Sequence, residues 1–176
     1  PIQHCNTRIL KAMNRRGDEE VVKSAIRRLR AAMPDITLRT TLIAGYPGET
    51  EAEFEQLCEF VKDTRFERLG CFAFSPEEEK QRRAGVIMDL QARISAQLLE
   101  KKVGSVQTVI CDGVDEESGL YLFRSAADAP EIDGNICVAS DTPLYPGEFY
   151  RVKIDESDMY DLFGYVVEEN EDESAQ

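Results

Sequence analysis

Two glycines and a proline stand in "TTLIAGYPGETEAEFEQL", residues 40–57, where a β-rich segment gives way to a helix signal. Glycine lets the backbone take a positive φ and lets a ligand approach closely. In parallel α/β structures ligands sit beyond the carboxyl ends of the strands, and Gly45 and Gly48 fall at that position. The helix start after Thr50 adds free N–H groups and a partial positive charge. The chemistry written here is backbone cradling of a ligand. The competing reading is a plain βα turn with a well-capped helix, and a short glycine motif does not separate the two. Other chemistries are excluded more firmly. His4 is the one histidine, so His-based triads and multi-histidine metal sites are ruled out. Cysteines lie at 5, 58, 71, 111 and 137, none two or three residues from another, so no metal knuckle is present. Their odd number and scattered apolar settings predict reduced, mostly buried thiols in a cytosolic protein.

The elements that must position these residues follow from periodicity. Asn6 caps a helix carrying Ile9, Leu10 and Met13 on one face and ending at Gly17. Asp18 caps a second, where Val22, Ala25, Ile26, Leu29, Ala32 and Met33 recur at helical spacing until Pro34. Ile36–Ala44 is rich in β-branched residues and predicts a strand. Ile36, Leu38, Thr40 and Leu42 face one way, and Thr37, Arg39, Thr41 and Ile43 the other. Thr50 and Glu53 form a capping box before a helix burying Phe54, Leu57, Cys58 and Val61. Arg68–Phe74 reads as a further strand, and a long helix runs from about Glu79 to Lys102. This order is the rhythm of a parallel α/β sheet or barrel. After Gly104 five short strand candidates, "SVQTVICDG", "GLYLFRSA", "GNICVAS", "EFYRVKID" and "YDLFGYVVEE", predict a small OB-like β-barrel.

Charge marks the same division. Pro1–Gly104 holds 18 Lys+Arg against 16 Asp+Glu, and Ser105–Gln176 holds 3 against 18, within a net charge of −13. So sharp a shift marks a domain boundary. The expected organisation is an α/β domain over 1–104, an all-β barrel over 105–169 and an acidic tail over 170–176. A surface this acidic repels phosphate backbones and attracts basic proteins. No apolar run approaches the roughly 20 residues that span a bilayer, so no membrane partner is expected. The chain starts at Pro1 in what reads as a strand end, which suggests a fragment of something longer.

Several stretches carry a resemblance. "PIQHCNTRILKAMNRRG", "LRTTLIAGYPGETEAEF", "RFERLGCFAFSPEE" and "RSAADAPEIDG" resemble the later part of a methylthiotransferase of the radical SAM superfamily, most closely its ribosomal-protein branch, the RimO type. The tRNA-modifying branch shares the "GYPGET" turn but usually reads "PVQSGS" at the start. The resemblance covers nearly the whole chain and implies part of a (β/α) barrel followed by a TRAM domain. It implies S-adenosylmethionine held against a [4Fe-4S] cluster, whose electron cleaves the sulfonium to a 5′-deoxyadenosyl radical that abstracts hydrogen from an unactivated carbon. In the RimO type that carbon is the β-carbon of an aspartate on small-subunit ribosomal protein S twelve. A second [4Fe-4S] cluster, bound by the family's amino-terminal domain, takes part in sulfur delivery.

Position by position, the resemblance places Gln3 near the adenosyl ribose and Arg15 near the methionyl carboxylate. Arg39, Thr41 and Ile43 share a strand face that points into the barrel. Arg39 suits a carboxylate held bidentately, or a strand-edge salt bridge. Gly45 matches a ligand-contacting glycine. Phe72 and Phe74 are assigned to the adenine side or to the core. Glu49 falls near the cofactor amine or is a solvated first-turn glutamate.

Two departures matter. The cluster motif CxxxCxxC is absent and the five cysteines cannot replace it, so this chain alone is expected to be inactive. A half barrel also leaves strand edges and core faces uncovered. The second departure is at "FAFSPEEEKQRRAG", where the family has a longer loop. The sequence predicts an omitted segment near Glu78–Glu79. TRAM domains often bind RNA, but 18 acids against 3 bases oppose that, which makes RNA binding by this domain unexpected and a basic ribosomal protein the better partner. tRNA adenosine methylthiolation and a non-catalytic acidic adaptor are the alternatives.

Overall fold

The computed structural model describes residues 1–168; the tail expected over 170–176 lies outside the described residues. The chain divides into two compact units, Pro1–Ser95 and Ala96–Gln176.

The first unit is built on two parallel strands, β1 (Arg39–Ala44) and β2 (Arg68–Ala73), paired from Arg39↔Arg68 to Ala44↔Ala73. Gln3 adds a single parallel bridge to Leu42 on the other side of β1: its N–H donates to the Thr41 carbonyl (2.9 Å) and its own carbonyl accepts from Ile43 (2.8 Å). Helices α1 (Thr7–Ala12), α2 (Glu19–Ala32), α3 (Glu51–Thr64) and α4 (Glu78–Glu100) complete the order. Caps read from the sequence are in place. The Asn6 side chain accepts from the N–H groups of Arg8 and Ile9, and Asp18 accepts from Val21. Thr50 and Glu53 exchange hydrogen bonds as a capping box. The strand alternation is the expected one: Thr40, Leu42 and Ala44 are buried, whereas Arg39, Thr41 and Ile43 lie on the more open face. The core joins Leu42 and Ala44 to Phe54, Leu57, Phe60 and Val61 of α3, Ile9 and Leu10 of α1, and Ile87 and Ile94 of α4. Full burial of such side chains contributes about 1.5–3 kcal/mol each.

Two expectations are revised. The first strand is shorter than 36–44: the β1–β2 register begins at Arg39↔Arg68, and Leu38 only accepts the Arg68 N–H (3.2 Å) while its own N–H goes to the Glu67 side chain (2.8 Å). At Glu78–Glu79, where an omitted segment was expected, these residues pass directly into a helix. The N–H groups of Lys80 (3.0 Å) and Gln81 (3.1 Å) both donate to the Glu77 carbonyl, so the helix starts inside "SPEEE" and runs on unbroken.

α2 carries an apolar stripe but no buried residue: Val21, Leu29 and Met33 are exposed.

The second unit is a closed five-stranded barrel: β3 (Val106–Val114), β4 (Tyr121–Ser125), β5 (Ile136–Val138), β6 (Phe149–Ser157) and β7 (Leu162–Val166), in the order β3-β4-β5-β7-β6. Every pairing is antiparallel except β5 with β7. Val109, Cys111, Phe123, Ile136, Val138, Val152, Ile154 and Leu162 fill it, with Leu99 from the end of α4. All five cysteines are free; Cys5, Cys111 and Cys137 are buried and Cys58 and Cys71 half-buried.

Candidate functional site

A cleft of about 330 Å³ opens in the first unit, lined by Gln3, Ala12, Met13, Asn14, Arg15, Ile43, Tyr46 and Phe74. Four segments meet here: the chain just before α1, the C-terminal end of α1, the carboxyl end of β1 with its turn, and Phe74 just after β2. Small-molecule sites fall in a range of about 300–1,000 Å³ and combine apolar walls with a few polar groups. Met13, Ile43, Tyr46 and Phe74 supply such walls, with the Tyr46 and Phe74 rings edge-to-face at 5.2 Å. Gln3 and Arg15 supply the polar groups. Arg15 has no ion-pair partner among the described residues, so a cation stands ready for an anionic ligand group. Gln3 and Asn14 both have positive φ, 72° and 56°. For Gln3 that conformation costs on the order of 1–3 kcal/mol and is held by its two hydrogen bonds to β1.

Of the residues singled out from the sequence, Gln3, Arg15, Ile43 and Phe74 come together in this cleft, and Arg39, Thr41, Gly45, Glu49 and Phe72 do not line it. Arg39 lies at the opposite end of β1, about 13 Å along the strand from Ile43 at roughly 3.3 Å per residue. Thr41 faces the same side but sits below the cleft, its carbonyl engaged by Gln3. Phe72 is 65% exposed on β2, so it belongs to neither the cleft nor the core. Phe74, two residues on, is the aromatic that reaches the cleft.

Gly45 has φ +74°, as a turn glycine should, but its open side is not turned to the cleft. A Cβ there would meet Lys80, 2.6 Å from its Cβ and 3.1 Å from its Cα. Glycine is needed at this position because the first turn of α4 packs on it. Lys80 then extends past the turn, with its Nζ 2.7 Å from Ser75 Oγ and 5.4 Å from the centre of the Phe74 ring. The start of α3 is not presented to a ligand either. Glu53 accepts the Thr50 N–H (2.9 Å) and is itself clamped by Arg8, which also donates to the Gly48 carbonyl (2.7 Å). The protein's own carboxylate takes the place of an external anion, and Arg8 holds Glu53 down at a pKa of about 2.

Beneath the turn lies a charged cluster that the sequence analysis did not identify. The His4 and Glu49 side chains are both 0% exposed. His4 Nδ1 accepts the Asn6 N–H at 2.9 Å, which leaves the ring proton of the neutral imidazole on Nε2. That nitrogen points to Glu49 Oε2 at 3.4 Å, long for a hydrogen bond, and has no other polar partner among the described residues. Glu49 Oε2 accepts the Gly45 N–H (3.1 Å), and Oε1 accepts from Arg83 (2.8 Å). Arg83 donates further to Glu51 and Glu79 (2.8 and 3.0 Å) and lies over the Phe54 ring. Burial pushes the Glu49 carboxyl up; the contacts with His4, Arg83 and the Gly45 N–H outweigh it and leave the pKa below the ordinary value. Glu49 is thus neither a solvated first-turn glutamate nor a group facing the cleft. The available signal was the pairing of a lone histidine in an apolar stretch with a glutamate beside a turn glycine.

Tyr46, Met13 and Asn14 were also missed, since they gain meaning only once the end of α1 meets the turn. The Tyr46 hydroxyl makes that junction by donating to the Ala12 carbonyl at 2.8 Å.

The described residues hold no group of His, Cys, Asp and Glu side chains suited to a metal ion. An iron–sulfur cluster therefore does not fit the residues present, whereas a ligand with an apolar body and an anionic end fits the cleft.

A model of the radical SAM superfamily matches residues 1–61, and a model of the TRAM domain matches residues 103–167. Among curated proteins, "Ribosomal protein uS12 methylthiotransferase RimO" from Cronobacter sakazakii is 44% identical over 181 residues, which cover 95% of this chain and 41% of the relative. The proteins of that name from Klebsiella pneumoniae (strain 342) and Escherichia coli O1:K1 / APEC are each 43% identical over 178 residues, covering 93% of this chain and 40% of theirs. The chain spans about two fifths of the length of the curated relatives it matches. An alignment of 181 positions exceeds the 176 residues of the chain, so the relative carries residues where this chain has none. The chain is a homologue of the RimO-type radical SAM methylthiotransferases, comprising a portion of the radical SAM domain followed by a TRAM domain.

Proposed function

We propose that this chain is the part of a uS12 methylthiotransferase that receives S-adenosylmethionine and docks the ribosomal protein. The observation that carries the reading is the cleft itself, where Gln3, Arg15 and Ile43, chosen from the sequence for this role, meet at the carboxyl end of β1. Arg15 holds the methionyl carboxylate through its guanidinium, the Gln3 amide takes a ribose hydroxyl, and Ile43 and Phe74 flank the adenine. S-adenosylmethionine supplies the reactive sulfonium carbon when bound. The chain's own residues bind and orient it: the walls of Met13, Ile43 and Phe74 exclude water from one side, and the cation at Arg15 fixes which end enters. The residues present do not fit an iron–sulfur cluster, and in this reading the clusters are carried by polypeptide outside these 176 residues.

The substrate follows from charge. Ser105–Gln176 carries 18 acids and 3 bases, so it favours a strongly basic protein such as uS12 and opposes a phosphate backbone. Free cysteines agree with a reducing, cytoplasmic setting.

Calorimetric titration with S-adenosylmethionine tests the first half. The chain is expected to bind it, and Arg15→Ala to weaken binding about tenfold, a change of about 1.4 kcal/mol. No binding by the wild-type chain overturns the reading. Titration with purified uS12 and with tRNA at two salt concentrations tests the second half. Salt-dependent binding to uS12 alone is expected, and preference for tRNA overturns it.

A further inference from the structure

The buried pair under the turn lines no part of the cleft, but it adjoins Gln3 in sequence and holds Asn6 and Gly45, which lead into α1 and Tyr46. His4 follows Gln3 directly, and Gln3 lines the cleft in a conformation that must be enforced. His4 Nδ1 anchors the N–H of Asn6, the cap of α1, whose other end supplies Ala12–Arg15. His4 Nε2 faces Glu49, and Glu49 holds the N–H of Gly45, the residue before Tyr46. Arg83 ties the same carboxylate to α4, and its own guanidinium also reaches the carbonyls of Glu49 and Thr50 (3.3 and 3.4 Å). Burying a charged carboxylate costs several kcal/mol unless it is paired, and replacement of such a pair by apolar groups is often neutral or stabilising. Packing alone therefore does not call for it. What it supplies is direction: fixed hydrogen-bond vectors from one carboxylate to the strand end, the turn and α4.

We propose that His4 and Glu49 are positioning residues for the S-adenosylmethionine cleft, acting together through the contact between His4 Nε2–H and the Glu49 carboxylate. This rests on the reading of the cleft given above. Glu49 sets where Tyr46 stands by holding the Gly45 N–H; His4 sets where Gln3 and the end of α1 stand; their contact sets the two against each other. The contact measures 3.4 Å, and ligand binding is expected to shorten it.

The chain's single histidine makes the test direct, because its ring signals are unique in an NMR spectrum. Without ligand, the imidazole ¹⁵N shifts are expected to show the proton on Nε2, with the Gly45 amide shifted by its carboxylate acceptor and moved back in Glu49→Gln. A proton on Nδ1, or a Gly45 amide indifferent to Glu49→Gln, overturns the proposal whatever the chain binds. S-adenosylmethionine is then added. The His4 ring signals are expected to move, and Glu49→Gln to weaken binding by about tenfold. His4→Asn keeps an acceptor where Nδ1 stood and removes the Nε2 donor; it is expected to weaken binding equally, and the double variant no further. His4→Gln keeps a donor near Nε2 and is expected to restore part of the affinity. Additive losses in the double variant, or full affinity in Glu49→Gln, overturn the proposal. Should wild-type protein ignore S-adenosylmethionine, the functional reading fails on its own, and the ligand-free spectra still decide whether the pair is built as described.

Discussion

At the scale of single residues, carboxyls with lowered pKa contribute to stability against acid, Glu53 and Glu49 among them. Glu53 is held to a pKa of about 2 by its contacts with Arg8, against 4.5 in the unfolded chain, and Glu49 is lowered as well. A carboxyl with a depressed folded pKa contributes stability that is present above its unfolded value and is lost as pH falls through the folded one. Urea midpoints are therefore expected to decline between pH about 4.5 and about 2. Glu53→Gln is expected to flatten part of that decline, and an unchanged slope would count against the Arg8 clamp. The same residues show what could be read beforehand. Strand parity gave the face of Ile43, whereas Gln3 and Arg15 were singled out only through the family resemblance; all three line the cleft. Arg39 was misplaced along the strand, not across it: period-two alternation gives the face, and only the register shows which end carries the cleft. Glu49 was ambiguous because a first-turn glutamate is ordinarily solvated, and its burial depends on His4 and Arg83, distant in sequence.

At the scale of elements, the connection from β2 to α4 has the largest consequence. It is short, so the first turn of α4 rests on Gly45 through Lys80. Gly45 and Gly48 share the same backbone region, φ +74° and +78°, but differ in surroundings: nothing approaches a Gly48 Cβ closer than 4.0 Å. Gly48→Ala is expected to cost only left-handed strain, about 1–2 kcal/mol. Gly45→Ala must also displace Lys80 and is expected to cost roughly 2 kcal/mol more, in the range of overpacked sites. Thermal melts of the two variants compare these directly, and equal losses would mean that α4 does not press on the turn. Elements were the most legible level. Helix caps at Asn6, Asp18 and Thr50 and all five barrel strands follow from local patterns, since turn chemistry and alternation are local. The parallel β5–β7 pairing that closes the predicted barrel was not readable, because it joins residues far apart in sequence.

At the scale of the whole molecule, two units of opposite character share one chain. One has near-balanced charge and carries the cleft; the other is strongly acidic and carries a closed barrel. Val21 and Leu29 on α2, and Met33 at its C-cap, are exposed apolar side chains of the first unit. The account as a whole stands on the cleft receiving S-adenosylmethionine in one orientation. Isotope-filtered NMR on the labelled chain at saturating S-adenosylmethionine tests that most directly. Cross-peaks are expected from the adenine protons to the Ile43 methyls and the Phe74 ring, and from the methionyl protons to the Arg15 side chain. Cross-peaks confined to the barrel, or none at any of these residues, would contradict it.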